Sequence, residues 1–143
     1  MTLQEIKQDF FAYRNGMVAD TLRRAGYPHK VIFGLNLPQI AVIAGKILSE
    51  RDHIAEQLWK DPDVRESRLL ACYLYDPASL TKEECIEKGS EVRTREEADM
   101  FAFRVLKRRK DAVELLNILR EKDAGHADSP ATITAAALSA HIE

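Results

Sequence analysis

The sequence predicts an all-α protein, an α-α superhelix of antiparallel helix pairs, and three observations carry that expectation. No window alternates apolar and polar residues over a useful length, and no Asn-Gly or Asp-Gly pair is flanked by strand-like runs. Apolar residues recur instead at three- and four-residue spacing. Helix-start signatures punctuate the chain at short intervals, as a capping Ser, Thr or Asp followed by Pro or, three residues on, by Glu.

The elements follow in order. Thr2 with Glu5 is a capping box, and Leu3, Ile6, Phe10 and Tyr13 continue it at helical spacing up to Asn15-Gly16. A second helix carries Val18, Ala19, Leu22 and Ala25 and stops at Gly26. Tyr27 to Leu37 is an extended loop, because Pro28 and Pro38 push their preceding residues out of the helical region. Pro38 opens a third helix with Ile40, Ile43, Ala44, Ile47 and Leu48 on its buried stripe, and Asp52 caps a fourth with Ile54, Ala55, Leu58 and Trp59 turned inward.

The chain is organised around the fifth helix. Asp61 reads as its N-cap and Pro62 as its first residue. It is polar for two turns (Asp63, Arg65, Glu66, Arg68) and then apolar all round from Leu69 to Tyr75, so its second half must be surrounded by other helices. After the Asp76-Pro77 turn, Thr81 with Glu84 and Thr94 with Glu97 mark two further helix starts. Arg95 to Arg109 buries Met100, Phe101, Phe103, Val105 and Leu106. Asp111 to about Asp123 presents Val113, Leu115, Leu116, Ile118 and Leu119, and Gly125 closes it. Ser129-Pro130 starts a last helix, Pro130 to His141, in a tail rich in small residues. Helices joined by connections of a few residues argue for stacked helix pairs of the HEAT or ARM type, although no clean sequence repeat is visible. Residues 1–125 are expected to form this helical domain and 126–143 a C-terminal tail with a short helix.

A length of 143 residues with 45% apolar content suits one core. The N-terminus MTLQEIKQDF lacks a signal-peptide pattern, and no apolar run approaches the roughly 18 residues a bilayer span needs, so the expected location is the cytoplasm with no membrane contact. Cys72 and Cys85 lack metal-ligand spacing and read as buried thiols. His29, His53, His126 and His141 are scattered, and no Gly-rich phosphate loop is present, so neither a metal nor another cofactor is indicated. The net charge of −2 offers polyanions no overall attraction, and nucleic-acid binding would need a local patch.

Three stretches, FGLNLPQIAVIAGKI (33–47), EQLWKDPDVRESRLLACYL (56–74) and TREEADMFAFRVLKR (94–108), resemble segments of the DNA alkylation repair family of HEAT-like alkylpurine glycosylases. The first two resemble its scaffold motifs, in which Arg68 matches a structural arginine expected to bind Glu66 or a carbonyl. The third resembles the helix carrying the family's Trp-Asp-x-x-Asp signature. The resemblance implies a carboxylate and aromatic rings beside a cationic alkylated purine, where the carboxylate stabilises oxocarbenium character and tryptophan faces attract the base. Carried over by position, Asp99 matches the second aspartate and Glu96 replaces the first, while Arg95 stands where the family has tryptophan. Arg95 precedes Asp99 by four residues, can pair with it and would repel a cationic base, so weak or absent glycosylase activity is expected.

Arg104, Lys107, Arg108, Arg109 and Lys110, with Arg95 and with Arg65, Arg68 and Arg93 on neighbouring turns, form a candidate strip for double-stranded DNA. The competing reading of the 104–110 run is a solvated helix end, where cations complement the macrodipole. Asp99 has a bland reading too, as an ion-paired surface residue. In the alternative function the chain is a noncatalytic scaffold that binds a protein or itself through the C-terminal helix.

Overall fold

In the computed structural model, which describes residues 1–142, all regular structure is helical. Among the described residues there are nine α-helices, one 3-10 turn and a single isolated β-bridge. The chain is all-α, as the spacing predicts, and it divides into two compact units, Met1–Leu74 and Tyr75–Glu143. Glu143, the end of the expected tail, lies outside the described residues.

In the first unit, α1 (Leu3–Ala12) opens on the expected capping box, with Thr2 and Glu5 exchanging two bonds of 3.1 Å. Asn15 caps α2 (Gly16–Arg24) by accepting from the amides of Met17 and Val18. A box that the sequence reading passed over, Asn36 with Gln39, starts α3 (Leu37–Lys46). The start of α4 (Arg51–Trp59) differs from expectation. It begins after Glu50, which is in the left-handed region at φ 56, and Asp52 sits inside the first turn instead of capping it. Arg51 fixes this entry by donating to the carbonyls of Ala44, Ile47 and Tyr73 at 3.0, 2.7 and 3.1 Å.

The fifth helix also starts later than predicted, at Arg65 instead of Pro62: α5 spans Arg65–Leu74. Val64 is held in a parallel bridge with Val31, whose N–H donates to Asp63 O and whose carbonyl accepts from Arg65 N, so the chain cannot become helical before Arg65. Asp61 spends its carboxylate on the Ser67 hydroxyl at 2.9 Å and on Lys7 at 3.1 Å.

The polar first turn of α5 is not a surface: Arg65, Glu66, Ser67 and Arg68 are all buried. Glu66 accepts from the amides of Phe33 (3.1 Å) and Gly34 (3.0 Å) and from Arg65 (2.8 Å), while Arg65 also donates to Leu35 O at 2.9 Å. The pair thereby supplies backbone partners to Phe33, Gly34 and Leu35, which lie past the end of the Val31–Val64 bridge. Arg68 donates to Trp59 O at 2.9 Å and lies over the Trp59 ring, the carbonyl contact expected of it. With both arginines committed inside the first unit, neither serves as an exposed phosphate contact. Around these groups α5 packs on α3 and α4, and α1 on α4, over a core that includes Ile6, Phe10, Ile40, Ile43, Leu58 and Leu70.

In the second unit, the Asp76-Pro77 turn closes through Ser79 N to Asp76 O and Ala78 N to the Asp76 carboxylate. Then α6 (Lys82–Gly89) starts on the full Thr81–Glu84 box. The helix expected from Arg95 to Arg109 breaks at Val105, leaving α7 (Arg95–Arg104) and a 3-10 turn (Leu106–Arg108). Arg109 is extended, at ψ 152, because its side chain is drawn into the bonds described below. α8 (Ala112–Lys122) and α9 (Pro130–Ile142) follow. α9 packs on α7 and α8 and buries Ala131, Thr134, Ala135 and Leu138. Its Thr134 hydroxyl donates to Gly89 O at 2.7 Å. Cys72 and Cys85 are buried free thiols, and burial pushes the Cys85 thiol up to about 11. No described helix is long and apolar enough to cross a membrane.

Candidate nucleic-acid interface

The site is built on α7. Thr94 caps it, its hydroxyl accepting from Glu97 N at 3.1 Å. The helical repeat then places Arg95, Asp99 and Phe103 at successive four-residue steps along one side. From the far end of the unit's sequence, α9 delivers His141. Its Nε2 lies 2.8 Å from Asp99 Oδ1, and its ring lies 5.0 Å from the Phe103 ring, tilted by 46°.

The same Phe103 ring gathers the cations. Lys107 Nζ is 5.0 Å from its centroid, Arg108 Cζ 5.8 Å and Arg104 Cζ 5.9 Å. Phe103 and Arg104 are half-buried, whereas Lys107 and Arg108 are exposed. The 3-10 turn causes the convergence, because it tightens the chain after Arg104 and returns residues 107 and 108 toward the ring. Each exposed cation-ring contact is worth about 0.5 to 1 kcal/mol, and the three positive charges around one ring also repel one another.

The other expected cations differ. Arg109 is engaged on every side: Nε and Nη2 meet the two Asp111 oxygens at 2.8 and 2.9 Å, while Nη1 donates to the carbonyls of Pro77 (2.7 Å) and Leu80 (2.6 Å). The hydrogen bonds from Arg109 hold the Asp111 carboxyl below the usual carboxylate range, and the guanidinium is raised in turn. Arg109 thus ties the 77–80 turn to the start of α8. Lys110 is exposed and, with Ala78, Arg108, Arg109 and Asp111, lines a cleft of about 400 Å³.

Arg95 is exposed, and the partner that the structure gives Asp99 is His141 instead. An exposed i,i+4 ion pair is worth only about 0.3 to 0.5 kcal/mol, too little to outweigh a ring held by a docked helix. The Asp99 side chain is 59% exposed. A carboxylate so well solvated stabilises developing positive charge far less than a desolvated one. Among the described residues, no group of three His, Cys, Asp or Glu side chains is placed to hold a metal ion.

Two members of this site were not singled out by sequence reasoning. Phe103 was read as part of a buried stripe and His141 as one of four scattered histidines. The spacing Phe103, Arg104, Lys107, Arg108 carried a signal for the first. Nothing local could have shown the second, 42 residues from Asp99.

The structure defines an all-helical scaffold that bears a carboxylate and an aromatic ring on one helix, with cations at the end of that helix and on the turn after it. The family model for DNA alkylation repair enzyme matches residues 6–109, most of the chain, and the chain belongs to that family. Neither a curated protein nor a solved structure matches it significantly. The family match covers the whole of α7 and the cation turn, and α8 and α9, including His141, lie beyond it.

Proposed function

We propose that this member of the DNA alkylation repair family is a HEAT-like helical protein that binds DNA through the cation-ringed face around Phe103 and excises alkylated bases weakly or not at all. The observation that carries the reading is the convergence of Arg104, Lys107 and Arg108 on one half-buried aromatic ring. Phosphates attract such a cluster, and the net charge of −2 confines the attraction to it. Weak excision rests on Arg95 in place of the signature tryptophan and on a solvated Asp99 already joined to His141. The test is a titration of labelled duplex DNA at two salt concentrations. Binding that weakens steeply as salt rises supports the reading, and no binding at low salt defeats it.

A second reading, a helical scaffold for a protein partner, is favoured by an apolar patch in the first unit. Phe11 and Met17 are 57% and 82% exposed, beside a groove of about 550 Å³ whose walls include Arg14, Val31 and Phe33. Sedimentation of the purified chain with and without Met17→Glu tests self-association there.

A further inference from the structure

We infer that the Phe103 cluster is a subsite for an unpaired nucleotide, its base stacked on the ring and its phosphate held by Lys107 and Arg108; this rests on the DNA-binding reading above. Lys107 and Arg108 sit beside the ring, and among the described residues no hydrogen bond or ion pair fixes either of them there. Both are exposed side chains on a short turn, so they can leave the ring for a phosphate without disturbing the core. What they uncover is an aromatic surface, and every nucleobase has a π face that stacks on one.

The surroundings give the nucleotide a direction. Asp99, one turn before Phe103 on α7, repels phosphates, so the backbone belongs on the side of Lys107 and Arg108 and the base edge on the side of Asp99. His141 packs at 5.0 Å against the ring and props it in place from α9. A base inside a duplex has both faces covered by its neighbours and cannot reach the ring. A single strand, a gap or a one-nucleotide bulge presents a free face. The cluster therefore reads strandedness, which a merely basic strip does not.

The experiment compares three labelled oligonucleotides with the full chain at low salt: a single strand, its perfect duplex, and the duplex with a central one-nucleotide bulge. The single strand and the bulged duplex are expected to bind at least about fivefold more tightly than the perfect duplex. Phe103→Leu should cost about 5- to 150-fold of that binding, the span that stacking one base represents, and leave the duplex affinity almost unchanged. Phe103→Trp, which keeps a stacking face, should retain the preference, and its indole emission should fall on binding the single strand but not the duplex. This second variant guards against a Phe103→Leu protein that folds poorly. Equal affinities for the three DNAs, or a preference that survives Phe103→Leu in a folded protein, would overturn the subsite while leaving DNA binding intact. No binding to any of them overturns both.

Discussion

Glu66 shows what one carboxylate does when its partners are backbone amides. Buried completely, it accepts from Phe33, Gly34 and Arg65, so its removal takes the carboxylate from a buried guanidinium and the acceptor from two amides together. Glu66→Ala is expected to cost about 3 to 5 kcal/mol, measured by denaturant unfolding, and a loss below about 1 kcal/mol would mean that the 31–35 segment is held by something else. Gly34 in the same loop has a φ of +87, and a Cβ there would overlap the Asn15 carbonyl oxygen, so Gly34→Ala should destabilise the same unit. At this scale the sequence was only partly legible. The match of Arg68 to a structural arginine pointed to its carbonyl contact, but Arg65 read as part of the cation strip and Glu66 as a partner of Arg68. Their partners lie some thirty residues earlier in the chain, and no local pattern reports a charge that is buried because distant amides need it.

The helices were mostly legible as elements, because their starts are chemical. Thr2, Thr81 and Thr94 cap where they were expected to, since a hydroxyl three residues before Glu states its function in four residues. Asp61-Pro62 states the same function, and there tertiary structure prevailed: a turn at Pro62-Asp63 and the Val31–Val64 bridge kept the chain out of the helix for three more residues. Two consequences are measurable. Leu70 is fully buried on α5 and Leu70→Ala should cost about 2 to 5 kcal/mol, whereas Asp99→Asn on an exposed face should change stability by less than about 0.5 kcal/mol. Thermal melts in the reverse order would show that α5 had been mistaken for the core.

Acid sensitivity belongs to the same scale. The backbone hydrogen bond from Thr81 lowers the Glu84 carboxyl and the Arg109 hydrogen bonds lower that of Asp111. A carboxyl depressed in the folded state contributes stability that is complete above its unfolded value, ordinarily 4.5 for Glu and 3.8 for Asp, and that is lost as pH falls through the folded value. The Tm should therefore be insensitive to these groups at neutral pH and fall below about pH 4.5. Glu84→Gln with Asp111→Asn should flatten that part of the profile. An unchanged acid limb in the double variant would assign the loss to other carboxyls.

For the whole molecule, family and fold were legible, and the geometry of the candidate site was legible only in part. The helical rhythm and three spaced motifs pointed to the DNA alkylation repair family, and the family match bears this out over residues 6–109. Asp99 and the 104–110 cations could be named in advance, but their arrangement could not. Arg109 turned inward because carbonyls of the 77–80 turn lay within reach, and His141 took the place beside Asp99 that sequence spacing assigned to Arg95. The expected weakness of excision follows from that arrangement. Purified protein should release 3-methyl- and 7-methylpurines from alkylated DNA at or near background, and Arg95→Trp should not raise the rate greatly, because Asp99 stays solvated. Release well above background that disappears in Asp99→Asn would establish Asp99 as the stabilising carboxylate.

The central claim is that phosphates are held at the Phe103 face and not by diffuse charge. The most direct test is the salt dependence of DNA affinity for the wild-type chain, for Lys107→Ala with Arg108→Ala, and for a control, Arg120→Ala, an exposed cation on α8. Each phosphate contact contributes about 0.9 to the slope of log affinity against log salt. The account predicts that the double variant binds more weakly and loses nearly 2 from that slope, while the control keeps the wild-type slope. Equal slopes in all three proteins would contradict it.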